Sequence, residues 1–368
     1  MTDDERAVLG RDGRHAQTVV VGVGVAAVVI ILGVALVGGL NTSVLGLGAE
    51  ETQTTVVDVW GDTTVTVTYT TETGETRGFV VDGVSSELSD SDNGWAFIDR
   101  SALPPALEEG ENVDSDSVVP VGDRVLVGNT TSSTRQVGEA TVRVVVPASR
   151  DVDPVRKAHF ISEFLSPYAL NSDQRAVTLV AAPDALPYSG LSYADGTGYV
   201  TIEAFWDGNV GSVWLHEFFH ARQTFTLESE MTWFREASAE YLTYRAMQEQ
   251  YGPVTDRDIR ARLDGVPDYH DVALASPSTW DNESVDYTKG ARLLYAIDAS
   301  VRTGSNGEHT LFDVFRAINE REGPVSVSEF TAVVEAHSGT NESWIRDAIE
   351  TTGPIDRYRE SQGIFRNG

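Results

Sequence analysis

The motif His-Glu-Phe-Phe-His at His216–His220 is the sequence feature that most constrains this fold. It lies in an apolar stretch from Val213 to Phe219, which predicts a buried helix. Residues four apart share one face of a helix, so both imidazoles can bind one metal ion. Glu217 is turned by ~100° around the helix axis, so it can act as a general base on a water at that ion. The alternative is a pair of hydrogen-bonded core histidines.

The third ligand must come from a carboxylate or another histidine, because the chain contains no Cys. A catalytic zinc takes three protein ligands and leaves a fourth position open. The next predicted helix, residues 231–250, carries Glu236 and Glu240 on one face, and we expect Glu236 to be the ligand. Glu240 is predicted to accept a hydrogen bond from a ligand histidine; the alternative is an exposed helix carboxylate. Two histidines and a carboxylate suit one Zn²⁺ ion.

Two segments resemble the gluzincin metallopeptidases. WFREASAEY, residues 233–241, resembles the W-x-N-E-G-x-A-x-Y segment of the aminopeptidase N-like family, whose zinc-binding Glu matches Glu236. The E-x-x-x-D pair of thermolysin is matched by Glu236 and Glu240, with Glu in place of Asp. DYTKGARLLYAID resembles the Y-x-K-G segment of aminopeptidase N-like and glycyl aminopeptidases, which implies that Tyr287 stabilises an oxyanion. The alternative for Tyr287 is a core position, and His270 is the rival electrophile.

A third segment, EAFWDGN, resembles the edge strand that precedes the active-site helix of thermolysin-like enzymes. Such a strand can pair with an extended peptide substrate. The resemblance implies that the substrate cleft is lined by Glu203, Ala204, Phe205 and Trp206. The G-x-M-E-N motif, whose Glu binds the free amine in aminopeptidases, is not found before His216. Endopeptidase activity is therefore at least as well supported as aminopeptidase activity.

The N-terminal region contains an uncharged run of 23 residues, Thr18 to Leu40. At ~1.5 Å per residue this run is long enough to cross a hydrocarbon core of ~30 Å. Arg6, Arg11 and Arg14 precede it, so the positive-inside rule predicts a cytoplasmic tail at residues 1–17. We therefore expect a single-pass protein of the cell membrane with its catalytic domain outside. The alternative is a cleaved signal sequence.

The remaining chain divides into two predicted parts. Residues 41–137 form a linker and a β-rich domain, because Thr and Val alternate between turn residues. Residues 138–360 begin with strand-like segments and continue as helices, which predicts a gluzincin-like peptidase domain. The fold class is α+β. The β-rich part contains no catalytic constellation and is predicted to be a spacer or packing module.

The charge of the chain excludes one class of partner. The net charge is -29, and Lys occurs only at Lys157 and Lys289. Nucleic-acid binding requires a basic face, so nucleic acid is not an expected partner. An acidic chain with so little Lys resembles proteins of halophilic archaea, in which high salt screens self-repulsion.

These observations predict a membrane-anchored zinc peptidase that hydrolyses a peptide or protein substrate. The ligands would be His216, His220 and Glu236, with Glu217 as the base. The alternative is a non-catalytic, membrane-anchored zinc-binding or interaction module with a relic peptidase fold. An intact Glu217 favours the enzyme, since a structural site does not need a base.

Overall fold

The computed structural model describes residues 53–59, 62–70, 75–104, 117–207, 210–280, 284–361 and 364–367. The predicted cytoplasmic tail and the predicted span at residues 18–40 lie outside these ranges. Within them, no helix is both long and apolar enough to cross a bilayer. The longest, Trp233–Gln250, has 18 residues and includes Arg and Glu side chains. On the residues that the structure describes, the predicted membrane localisation is therefore wrong.

The N-terminal part of the described chain contains two antiparallel sheets. Three strands form the first sheet and four form the second, in the order β4-β5-β7-β6. Valines at alternate positions of β2, such as Val65 and Val67, are fully buried between the two sheets. The strands are β1 (Gln53–Val59), β2 (Asp62–Thr70), β3 (Thr76–Val84), β4 (Ser89–Asp90), β5 (Trp95–Asp99), β6 (Val118–Val121) and β7 (Arg124–Gly128).

A third sheet of five strands has the order β11-β12-β10-β9-β8. Its three inner strands are parallel, and both edge strands pair antiparallel with their neighbours. The strands are β8 (Thr130–Val137), β9 (Ala140–Pro147), β10 (Ala176–Ala181), β11 (Gly190–Ser192) and β12 (Thr197–Val200). The predicted domain boundary, between residues 137 and 138, lies in the turn of the hairpin that β8 and β9 form. The two strands belong to one sheet, and the boundary stays a prediction.

Both faces of this third sheet are covered. Val142 and Val144 of β9 belong to the main core that the helices form. Val145, on the opposite face, packs with Trp95 and Phe97 of β5. Successive side chains of a strand point to opposite faces, so a valine-rich strand can serve two cores at once. The four-stranded sheet is therefore the backing layer of the third sheet.

Helices enclose the other face of the third sheet; the first of them lies between β9 and β10 in the chain, and the other helices follow β12. They are α1 (Pro154–Leu165), α2 (Val213–Ala221), α3 (Trp233–Gln250), α4 (Asp256–Asp264), a π-helical segment (Asp286–Gly290), α5 (Ala291–Gly304), α6 (Leu311–Asn319), α7 (Val327–Ser338), α8 (Trp344–Glu350) and α9 (Asp356–Glu360). Two short strands, β13 (Thr226–Leu227) and β14 (Pro324–Val325), pair parallel between them. The predicted mixture of sheets and helices is confirmed.

Local signals explain where helices begin. Asp153 caps α1 by accepting hydrogen bonds from the backbone N–H groups of Val155 and Arg156, and Pro154 occupies the first turn. Capping boxes start α6 and α7, with Thr310 and Ser326 as the N-caps. These caps satisfy N–H groups that a helix leaves without an intrahelical acceptor.

The segment from Glu203 to Trp206 is not the edge strand that the resemblance implied. Strand β12 ends at Val200, and residues 201–206 are irregular. The indole of Trp214 donates to the carbonyl of Ile202 at 3.1 Å, and the Lys157 ammonium donates to the carbonyl of Glu203 at 2.5 Å. Side chains thus satisfy backbone groups that a strand would pair with another strand.

Candidate metal centre

Helices α2 and α3 pack against each other and carry the candidate ligands. Helix α2 is apolar nearly all round, and Trp214, Leu215 and Phe219 are fully buried. His216 is 4 % exposed and Glu217 is 2 % exposed. Buried groups of this polarity need partners inside the protein. Those partners come from α3, β11 and the π-helical segment.

Three side chains converge at one point between α2 and α3. Nε2 of His220 lies 2.9 Å from Nε2 of His216 and 2.9 Å from Oε2 of Glu236. Nε2 of His216 lies 3.5 Å from the same Glu236 oxygen. One ligand atom from each residue lies within 4.8 Å of the other two. The structure therefore brings His216, His220 and Glu236 together.

The size and chemistry of this triangle fit a zinc ion. In a tetrahedral site with bonds of ~2.0–2.1 Å, ligand atoms are separated by roughly 3.3 Å. The three separations here are 2.9, 2.9 and 3.5 Å. Two imidazole nitrogens and one carboxylate oxygen are a ligand set that catalytic zinc sites use. The residues present therefore fit Zn²⁺.

His216 is held in one orientation by Glu240. Its Nδ1 lies 3.2 Å from Oε2 of Glu240, and the Tyr244 hydroxyl donates to the other oxygen of that carboxylate. Burial opposes the charge on Glu240, but the hydrogen bond and charge of His216 lower the pKa of Glu240 to about 2. An ionised Glu240 accepts a hydrogen bond from the Nδ1–H group of His216, which leaves Nε2 directed at the cluster.

His220 has an equivalent partner that the sequence did not suggest. Its Nδ1 lies 3.1 Å from Oε1 of Gln223. The Gln223 amide nitrogen donates to the carbonyl of Arg235 at 2.8 Å and to the hydroxyl of Ser238 at 3.1 Å. The carbonyl of Arg235 can only accept, so the amide nitrogen lies on that side and the amide oxygen of Gln223 faces His220. Gln223 is three residues after His220, and this spacing is the only signal that could have revealed it.

The electrostatics of the cluster favour an ionised Glu236. Burial alone would raise the pKa of Glu236, but the charges and hydrogen bonds of His220 and His216 hold it well below its ordinary value. Burial alone would lower the pKa of His216, but Glu236 and Glu240 raise it to about 10. Negative charge around the imidazoles therefore attracts a cation to this point, either a proton or a metal ion.

Glu217 projects from the adjacent face of α2, toward β11. The Ser192 hydroxyl lies 2.9 Å from Oε2 of Glu217 and 2.8 Å from the Glu217 backbone oxygen. A Cβ at Gly190 would overlap the same carboxylate, so glycine leaves the necessary space. Burial raises the pKa of Glu217, although His220 and His216 oppose this. Sequence reasoning missed Ser192 and Gly190, because strand pairing places them beside α2.

Tyr287 lies in the π-helical segment and reaches the cluster. Its hydroxyl donates to Oε2 of Glu236, and its ring stacks on His216 with centroids 5.8 Å apart. Burial and the nearby Glu236 raise the pKa of Tyr287 well above its ordinary value, so the phenol keeps its proton. The end of the π-helical segment can approach α3 closely because Gly290 has no Cβ. A Cβ at Gly290 would lie 2.7 Å from the Cβ of Ala237. Single π turns are frequent at functional sites.

The structure does not bring the remaining predicted residues into this cluster. The ring of His270 is 67 % exposed, and its Nδ1 lies 2.8 Å from Asp268. Phe205 and Trp206 pack against Phe160 of α1, with ring centroids 5.1 and 5.6 Å away. Glu203 and Ala204 belong to the same irregular segment. The edge strand beside Glu217 is β11 instead.

A scan against models of known protein families gives no match, and no curated protein is similar in sequence. Matches are found among solved structures. One is an aminopeptidase N family protein from Idiomarina loihiensis, with 13 % identity, a TM-score of 0.55, and coverage of 84 % of this chain and 78 % of that chain. Another is Legionella pneumophila aminopeptidase A in complex with aspartic acid, with 12 % identity and a TM-score of 0.46. It covers 82 % of this chain and 49 % of that chain.

The likeness to the Idiomarina protein shows the fold alone, at this level of identity. The class that follows is a mixed fold of sheets and helices shared with that aminopeptidase N family protein. The His, His and Glu cluster lies within this fold, between α2 and α3.

Proposed function

We propose that this protein is a zinc-dependent peptidase. The observation that carries the proposal is the convergence of His216, His220 and Glu236 at one point, with the buried carboxylate of Glu217 on the adjacent face of the same helix. The fold shared with an aminopeptidase N family protein supports it independently of the residues at the site. Fold alone does not imply chemistry, so the donor set carries the argument.

His216, His220 and Glu236 would hold one Zn²⁺ ion. When bound, zinc supplies a Lewis acid that polarises a carbonyl and increases the acidity of a water. Glu240 and Gln223 fix the two imidazoles by their outer nitrogens. Partners of this kind increase ligand basicity and reduce the cost of organising the site.

Glu217 provides the proton transfers of peptide hydrolysis. It accepts a proton from the attacking water while the water oxygen bonds to the carbonyl carbon. The C–N bond then breaks, and Glu217 returns the proton to the leaving amine. Its buried position supports this role, because burial raises the pKa of Glu217 and favours proton uptake. Tyr287 keeps its proton and can donate a hydrogen bond to the negative charge that develops on the carbonyl oxygen.

The edge strand β11 supports binding of an extended peptide. In its antiparallel pairing, Leu191 is opposite Tyr199, while Ser189 accepts from Thr201 and Tyr193 donates to Thr197. Hydrogen-bonded pairs alternate along such a ladder, so the backbone groups of Gly190 and Ser192 point away from β12. Within the described part of the chain, no strand pairs with this side of β11. A substrate backbone can add there, beside Glu217.

The test combines metal binding with cleavage, measured in high salt because of the net charge of -29. The wild-type chain should bind one zinc, and His220→Ala should bind it far more weakly. His270→Ala is the matched control for zinc binding, since that ring lies outside the cluster. A mixed peptide library with free and acetylated N-termini reports turnover with zinc, after chelation and after zinc is restored. Peptide cleavage that survives full chelation would contradict the proposal, as would a wild-type chain without zinc affinity.

A further inference from the structure

We infer that Ser192 is a positioning residue that holds Glu217 in the geometry that proton transfer requires. This inference rests on the proposed function of the site. The hydroxyl of Ser192 lies within hydrogen-bond distance of two atoms of Glu217, 2.9 Å from Oε2 and 2.8 Å from the backbone oxygen. Ser192 therefore fixes the carboxylate relative to the helix that carries it.

A glutamate needs such support because its side chain has three rotatable bonds and several accessible rotamers. The support at Glu217 has two parts on one short strand. Gly190 provides the space, since any Cβ there would overlap the carboxylate. Ser192, two residues later on the same face of β11, provides the hydrogen bond. One strand thus confines the carboxylate by shape and by hydrogen bonding.

A hydroxyl suits a residue that gains and loses a proton. It donates to a carboxylate, and it can accept from a carboxylic acid while donating to a carbonyl. Ser192 has both partners available in Glu217, namely the side-chain oxygen and the backbone oxygen. The contact can therefore persist through both protonation states of the turnover cycle, whereas a cationic partner would favour only the ionised form.

The hairpin of β11 and β12 is itself held by the four-stranded sheet. The hydroxyl of Tyr193, adjacent to Ser192, donates to Oδ1 of Asp123 at 2.7 Å. The Tyr193 ring occupies the space that a side chain at Gly122 would take. The backbone N–H of Gly122 donates to the hydroxyl of Thr197 at 3.0 Å. These contacts give the β-rich region a direct connection to the strand that supports Glu217.

The test is Ser192→Ala in the full chain, with zinc affinity, kcat and KM measured separately. We expect kcat to fall roughly 10- to 100-fold, as misplacement of a catalytic group by about 1 Å does. KM and zinc affinity should change less than about threefold, because the ligands do not contact Ser192. Ser192→Thr keeps the hydroxyl and should recover most of kcat. Ser189→Ala is the matched control, since that hydroxyl is not a partner of Glu217.

Two solution results would overturn the inference: kcat of Ser192→Ala within twofold of wild type, or loss of zinc affinity in parallel with kcat. Crystal structures of wild type and Ser192→Ala provide a readout that does not need turnover. The Glu217 carboxylate should leave its position against β11 in the variant, and an unmoved carboxylate would also overturn the inference. A wild-type chain that cleaves no peptide would refute the proposed function, while the crystal comparison would still decide the role of Ser192.

Discussion

The hydroxyl of Tyr287 donates a hydrogen bond to Oε2 of Glu236, the same oxygen that lies 2.9 Å from Nε2 of His220. The Tyr287 ring also stacks on His216 at a centroid distance of 5.8 Å. One phenol thus contacts two of the three candidate ligands. A proton donor at the edge of the ligand set is positioned to interact with a substrate oxygen that enters the site.

We predict that Tyr287→Phe lowers kcat by about 10²–10³-fold, the usual cost of removing one donor to a developing oxyanion. KM should change little, because the interaction is strongest in the transition state. Steady-state kinetics with one peptide substrate provide the measurement, made at saturating zinc because the Tyr287 hydroxyl is also a hydrogen-bond partner of Glu236. A variant with wild-type kcat would leave Tyr287 as a packing residue only.

The outer partners of the histidines should control metal affinity. Gln223→Ala removes the acceptor at Nδ1 of His220, and Glu240→Ala removes the acceptor at Nδ1 of His216. Loss of such a partner typically weakens metal binding by about 10- to 100-fold. Competition with a chelator of known affinity measures the change. Glu163→Ala, an exposed carboxylate on α1, is the control and should leave zinc affinity unchanged. Unaltered affinity in Gln223→Ala would show that His220 needs no partner to bind the ion.

Gly290 should be required for the close approach of the π-helical segment to α3. A Cβ at this position would lie 2.7 Å from the Cβ of Ala237 and 3.2 Å from the ring of Trp233. We predict that Gly290→Ala costs about 1–3 kcal/mol of unfolding free energy, the usual cost of overpacking, and lowers kcat by displacing Tyr287. Gly252→Ala, with no atom within 4 Å of the added Cβ, should have neither effect in denaturant unfolding and kinetic assays. Equal behaviour of the two variants would contradict this packing argument.

Lys157 should produce a measurable pH dependence of stability. Burial, with a contribution from Arg156, lowers the pKa of Lys157 to about 8, whereas an unfolded lysine has a pKa of about 10.4. At pH values between these two pKa values, the unfolded chain binds more protons at this residue than the folded chain does. Lys157 therefore makes the free energy of unfolding rise with pH, by at most ~1.4 kcal/mol per pH unit.

The measurement is denaturant unfolding of wild type and Lys157→Met between about pH 7.5 and 9.5. The unfolding free energy of wild type minus that of the variant should increase with pH across this window. Subtraction removes the contribution of the other titrating groups. A constant or falling difference would mean that Lys157 is not a buried cation with a lowered pKa.

The sequence predicted those features of the site that depend on the spacing of residues within one helix. The four-residue spacing of His216 and His220 directs both rings to one face of any helix, and the spacing of Glu236 and Glu240 does the same on α3. The structure keeps both relationships. A sheet followed by helices was also readable from the change from alternating to helical periodicity.

Contacts between distant segments were not readable. Ser192 and Glu217 are 25 residues apart, and only the pairing of β11 with β12 brings the hydroxyl to the carboxylate. The edge strand is expected at Glu203–Trp206 because EAFWDGN resembles the edge strand of thermolysin-like enzymes. Those aromatics instead pack on α1. A short resemblance in sequence does not show which segment lies at the edge of the sheet, because strand pairing depends on contacts between distant segments.

The most direct test of the proposed peptidase is Glu217→Gln, with zinc content and peptide turnover measured on the same preparation. This substitution keeps the shape of the side chain and removes its ability to accept a proton from water. We predict zinc binding equal to that of wild type and a loss of kcat of about 10²–10⁴-fold, the contribution of a general base. Turnover close to that of wild type, with zinc still bound, would contradict the assignment of Glu217 and the hydrolytic mechanism built on it.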